Sequence, residues 1–172
     1  LAGLNKKIAS LEHHNVFFSP NYFNEFEQLF EQKVYADEPT IYICNSSKTD
    51  VTRSPKGDNL LILVNAPAGQ TPPDQYDEIM KQLERYSIYI KDAIVQKQII
   101  TPQTIEQDFN SYKGALYGYA SNSFRSAFFR HPNKSSIASN LYFVGGSTHP
   151  GGGSPLVTLG GMHVADAIVN QH

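Results

Sequence analysis

Residues 140–170 constrain this chain more than any other stretch. Leu141, Tyr142, Phe143 and Val144 form an apolar run bounded by Asn140 and Gly145, the pattern of a short buried strand, and from Leu156 onward Val157, Gly161, Val164 and Ile168 fall at helical spacing. Between strand and helix lie five glycines in nine residues, 145–153. Ser154 is predicted as the helix N-cap and Pro155 as its first residue, where a missing N–H costs nothing. The free N–H groups and the dipole of such a helix start favour an anion or an electron-rich carbonyl. The loop holds no Asp, Glu, Lys or Arg, so recognition there would come from backbone dipoles. Gly160 and Gly161 each cost the helix about 1 kcal/mol relative to Ala, which predicts close packing on another backbone or a ring. A glycine-rich turn that merely reverses the chain fits the loop equally well.

Residues 140–157 as a whole closely resemble the C-terminal signature of the bacterial carotenoid desaturases, the phytoene and dehydrosqualene desaturase family. Three more segments are similar to the same family, in family order: Gly3-Leu4-Asn5-Lys6-Lys7 with residues 13–19; Ser54-Pro55-Lys56-Gly57; and residues 114–118 with Phe129-Arg130-His131-Pro132. The resemblance implies an FAD-dependent enzyme that removes two hydrogens from a long apolar polyene. It places Gly145, Gly146, Ser147 and Thr148 beside the flavin or its ribityl chain. His149 is set to donate to the flavin, line the tunnel or fix the loop, and Pro155, Leu156 and Val157 present the helix start to the ring. Tyr117, Phe128 and Phe129 would lie along the substrate tunnel. In that family the GxGxxG fingerprint precedes these segments in a much longer protein, and it is missing here. The chain is therefore read as a C-terminal portion, silent without the N-terminal half as its partner. Three other readings remain: a related terminal-methyl oxygenase; a flavin amine oxidase, disfavoured because no paired-aromatic cage or carboxylate near the flavin is evident; and a non-catalytic apolar-ligand-binding module.

The expected fold class is α/β. Residues 1–133 would form a substrate-side α+β domain with a mixed sheet and flanking helices, and residues 134–172 the terminal strand, loop and helix of an FAD-binding Rossmann-like domain. Strands are predicted over 40–45, 59–65 and 98–100. Residues 60–64, apolar on both faces, suggest a central strand covered on each side. Helices are predicted from Ser19-Pro20 to about Lys33, from Thr71-Pro72 to about Gln96, and from Thr101-Pro102. Phe18 and Phe23 are placed as a hydrophobic staple, and Tyr22, Phe23, Phe26, Leu29 and Phe30 as a core-facing stripe.

Net charge of −2, a pI near 6.3 and no basic cluster argue against nucleic acid as a partner. The single cysteine, Cys44, allows no internal disulfide and reads as a small buried apolar residue, consistent with a cytoplasmic setting. No run of about 18 apolar residues is present. A bilayer-borne polyene would imply peripheral membrane contact. His13 and His14, adjacent on an extended segment, should point to opposite faces, so no metal site is expected.

Overall fold

A computed structural model describes residues 1–116 and 130–170. The chain divides into two compact units, Leu1–Thr104 and Ile105–His172. The first unit carries five strands: β1 (Ala2–Leu4), β2 (His14–Phe17), β3 (Ile41–Asn45), β4 (Asn59–Val64) and β5 (Ile94–Lys97). They pair in the order β2-β3-β4-β1-β5, and every ladder is antiparallel. The α/β class holds, but the expected mixed sheet is not found. Parallel neighbours need a right-handed crossover of strand, helix and strand, and no two neighbours in this sheet are related in that way.

One face of the sheet is packed. Ile41, Ile43 and Leu60 meet Met80 and Leu83 of helix α2 (Tyr76–Arg85), with Leu11, Ile88 and Ile90 completing the core. β4 is central, as its composition requires, yet it is covered on one side only: Leu61 and Leu63 are 40% and 44% exposed. Their cross-strand partners, Cys44 and Tyr42, and next to those His14 and Val16 of β2, share that open face.

Two of the predicted helices differ from those observed. The first is only α1 (Tyr22–Phe26), continued by one π-helical stretch at Glu27–Gln32. Its aromatics do not face the core. Glu25 does, almost fully buried, accepting from the Thr40 amide (2.9 Å) and hydroxyl (2.6 Å), with Leu29 beside it. This carboxylate anchor turns the stripe outward. Phe18, Tyr22, Phe26 and Phe30 stack in sequence with centroids 5.9, 4.6 and 5.4 Å apart. Phe23 is 89% exposed, so the Phe18–Phe23 staple does not form. The helix foreseen over 71–96 is α2 alone. Pro73 disfavours helical backbone at the residue before it, which delays the start. Ser87 takes a left-handed conformation (φ 62°) that ends the helix, after which buried Ile88 and Ile90 recur two apart and the chain extends into β5. The strand foreseen at 98–100 is this β5, earlier in the chain by a few residues. Helix α3 (Pro102–Phe109) is as expected, with the Thr101 hydroxyl capping the Thr104 amide at 3.2 Å.

The Ile105–His172 unit contains the longest helix, α4 (Ser154–Val169). The strand expected over 140–144 is reduced to a single antiparallel bridge between Lys134 and Tyr142. Among the described residues only 133–135 run alongside, through Phe143 N–H to Asn133 O (2.8 Å) and Ser135 N–H to Leu141 O (2.9 Å), too short a partner for a ladder. Among the described residues no helix is long and apolar enough to cross a membrane.

Candidate functional site

The glycine loop and the start of α4 form one construction. Gly153, at φ 96°, precedes the helix, so the cap lies one residue earlier than Ser154, and Ser154 and Pro155 are already helical. A residue at that φ needs no side chain, and glycine supplies the turn at least cost. No side chain caps α4, which leaves the N–H groups of Ser154 and Leu156 without intrahelical partners. A Cβ added at Gly145 (φ 141°) or Gly153 would meet nothing within 4 Å, so the space beside both is open. Gly153, Ser154, Pro155 and Leu156 are all exposed, and Val157 is half-buried.

The loop is held from beneath. Asn133 Nδ2 donates to the carbonyls of Phe143 (3.0 Å) and His149 (2.8 Å), with Thr148 Oγ1 at 3.5 Å. Thr148 is buried, and its hydroxyl donates to Gly145 O at 3.0 Å, closing the loop on itself. The His149 amide donates to His131 O at 2.9 Å, and the His131 ring packs edge-on against Phe143 at 4.7 Å. Gly160 is where the helix crosses the loop: a Cβ there would lie 3.3 Å from Pro150 Cδ and 3.4 Å from His149 O. The expected close packing is thus on a backbone and a proline ring. Arg130 passes under Gly151, where a Cβ would come within 3.3 Å of its Nε, and donates to Gly146 O at 3.4 Å.

The structure therefore brings together Gly145, Gly146, Ser147, Thr148 and His149 with Pro155, Leu156 and Val157. It gives them unequal parts: Thr148 fixes the loop, while Ser147 and His149 stand exposed. Tyr117, Phe128 and Phe129 lie outside the described residues. Asn133 and Arg130, the clamps, carry no mark in the sequence beyond lying near the loop, because their acceptors are set by folding. A helix start with unpaired N–H groups, open glycines in front and a guanidinium beneath the loop is chemically a receptor for an anionic or electron-rich planar group.

No family model matches the chain. Against curated proteins it is 39% identical, over 175 aligned residues covering 96% of its length, to 4,4'-diaponeurosporene oxygenase of Staphylococcus aureus strain MW2. The same identity and coverage hold for the enzymes of strains USA300 and Newman. Over nearly all of its own length the chain is similar to these oxygenases. It spans 35% of their length. The resemblance seen in the sequence thus leads to relatives whose names are those of carotenoid oxygenases.

Proposed function

We propose that this chain is the C-terminal part of an FAD-dependent oxidoreductase that oxidises a terminal methyl group of a long apolar polyene. The 39% identity to diaponeurosporene oxygenases over 96% of the chain carries this reading, and it favours oxygenation over desaturation. The overall reaction balances as methyl group plus dioxygen giving aldehyde plus water. In this proposal residues 134–172 serve the cofactor and residues 1–133 the substrate, with Tyr117, Phe128 and Phe129 along the polyene. The enzyme works in the cytoplasm, in peripheral contact with the membrane that stores its substrate.

When bound, FAD supplies hydride acceptance and reaction with dioxygen. The chain's own residues bind and orient. Gly145 and Gly146 let the ring or ribityl chain approach the backbone, and Ser147 and His149 offer exposed donors beside it. Thr148 and Asn133 hold the loop in shape. Ser154 and Leu156, on either side of Pro155, direct N–H groups and the helix dipole at negative charge, and Val157 backs that turn. The N-terminal remainder of the protein supplies the rest of the nucleotide site.

The test is the complete protein expressed in cells that accumulate an acyclic polyene, with products identified by mass spectrometry under isotopically labelled dioxygen. The expected product has gained one labelled oxygen and lost two hydrogens. A product that has only lost hydrogens would return the desaturase reading. A colourless protein without product, even with added FAD, would leave the non-catalytic binding module.

A further inference from the structure

Adjacent residues of a strand alternate, but β2 begins at His14, and His13, just ahead of it, escapes the rule. Backbone pairing still reaches it: the Asn45 amide donates to His13 O at 2.8 Å. The two imidazoles lie on the same side with ring centroids 4.4 Å apart. His14 is directly opposite Cys44 across the β2–β3 ladder, so its side chain and the thiol share the open face of the sheet. One nitrogen of each imidazole and Cys44 Sγ all lie within 4.8 Å of one another. Among the described residues this is the one cluster of three such groups.

The rings are also oriented. His13 Nδ1 bonds Thr49 Oγ1 at 2.7 Å, and His14 Nδ1 bonds the Tyr42 hydroxyl at 2.7 Å. In the tautomer in which each Nδ1–H donates to its hydroxyl partner, Nε2 carries the lone pair, the arrangement by which outer partners fix the tautomer of a metal-binding histidine. Two imidazoles and a thiol suit a borderline-soft divalent cation far better than calcium or magnesium.

We propose that His13, His14 and Cys44 form a binding site for a zinc-type divalent cation on the open face of the sheet, with water as fourth ligand. Ligand atoms on tetrahedral zinc sit about 3.3–3.6 Å apart, given bonds of about 2.0 Å to nitrogen and 2.3 Å to sulfur. Closing from 4.8 Å to these separations requires a contraction of at most about 1.2–1.5 Å, within reach of side-chain rotation at the exposed His14 and half-buried His13. On binding, the Cys44 proton leaves to solvent and the thiolate takes its place on the metal. The bound ion ties the edge strand β2 to β3. This site is independent of the flavin reading.

The experiment uses untagged, metal-stripped protein titrated with Zn2+ against a chromophoric chelator, and with Co2+ followed by absorption. One equivalent should bind, and cobalt should give a near-ultraviolet thiolate charge-transfer band. Cys44→Ser should abolish the band, His14→Ala should weaken zinc binding, and Tyr42→Phe should weaken it about tenfold. His163→Ala, on a helix of the other unit, should change nothing. Because Cys44 is the only cysteine, zinc should also slow its alkylation by iodoacetamide, a readout that needs no variant to fold. Alkylation at the same rate with and without zinc, or zinc held equally well by Cys44→Ser, overturns the proposal.

Discussion

Gly57 offers the sharpest test of the packing. It is buried in the turn before β4, and a Cβ placed on it would lie 1.8 Å from Leu4 O, 2.7 Å from Leu4 C and 3.3 Å from Asn5 C. Ordinary contact begins near 3.4 Å, so in Gly57→Ala the turn and β1 must separate by about 1.5 Å. Neither side yields freely. Leu4 N–H bonds Asp58 O at 2.8 Å, and the buried Asp58 carboxylate accepts from the Ile8 amide (2.7 Å) and the Ser47 hydroxyl (3.0 Å). Overpacking costs about 1–3 kcal/mol. One or two hydrogen bonds lost with it add about 1 kcal/mol each, against a gain of up to about 1 kcal/mol from a stiffer unfolded chain. The net is about 3 kcal/mol, a fall in Tm of roughly 10 °C for a chain of this size. Gly3→Ala in the neighbouring strand is the control. Its Cβ meets nothing closer than Gln96 Cβ at 3.8 Å, and its Tm should stay put or rise slightly. Thermal unfolding followed by circular dichroism decides the matter: a fall below about 3 °C for Gly57→Ala would refute the steric reasoning.

Four further outcomes are expected. Gly153→Val, forced to φ 96° and projecting into the open space before α4, should lower flavin content in the complete protein; full occupancy by absorbance would remove the loop's assigned role. Asn133→Ala removes the donors that join Phe143 to His149, costing about 2 kcal/mol locally, and should raise amide exchange over residues 143–149. Glu25→Ala leaves the Thr40 amide and hydroxyl without their acceptor and should cost about 1–3 kcal/mol in urea unfolding, whereas Phe23→Ala should cost little. The hydrogen bond from Lys91 to Asp77 (2.8 Å), and then its charge, hold the Asp77 carboxyl below its usual pKa. A depressed carboxylate contributes stability above its unfolded pKa and loses it as pH falls through the folded value. Lys91→Met should therefore raise the Asp77 midpoint in a carboxyl NMR titration, and an unmoved midpoint would show the pair is not formed in solution.

Several parts of this molecule were legible without coordinates because they rest on local chemistry. β3 and β4 read from short apolar runs, and α3 from Thr101-Pro102. The start of α4 read to within one residue from Ser154-Pro155, and the glycine loop before it from composition alone. Where prediction failed, a contact distant in sequence had outweighed a local preference. Apolar spacing over 71–96 is compatible with a helix, but buried Ile88 and Ile90 are better served in an extended chain against the sheet. The aromatic stripe of α1 looked like core until Glu25 found two donors on Thr40, fifteen residues away. Gly57 reads in the sequence as a turn residue and as part of a resemblance, and the structure gives it a steric reason.

The site divides in the same way. The sequence by itself determined a helix start open to negative charge, since helix dipoles and glycine backbones follow from residue type and spacing. It could not show that Thr148 spends its hydroxyl on Gly145, or that Asn133 and Arg130 support the loop. Nor could it show that His13, His14 and Cys44 meet: strand alternation argued against the histidine pair, and Cys44 lies some thirty residues away. Those juxtapositions were decided by tertiary structure, because register across an antiparallel ladder and the exact residue at which a strand begins are set by the whole sheet, not by the residues that end up side by side.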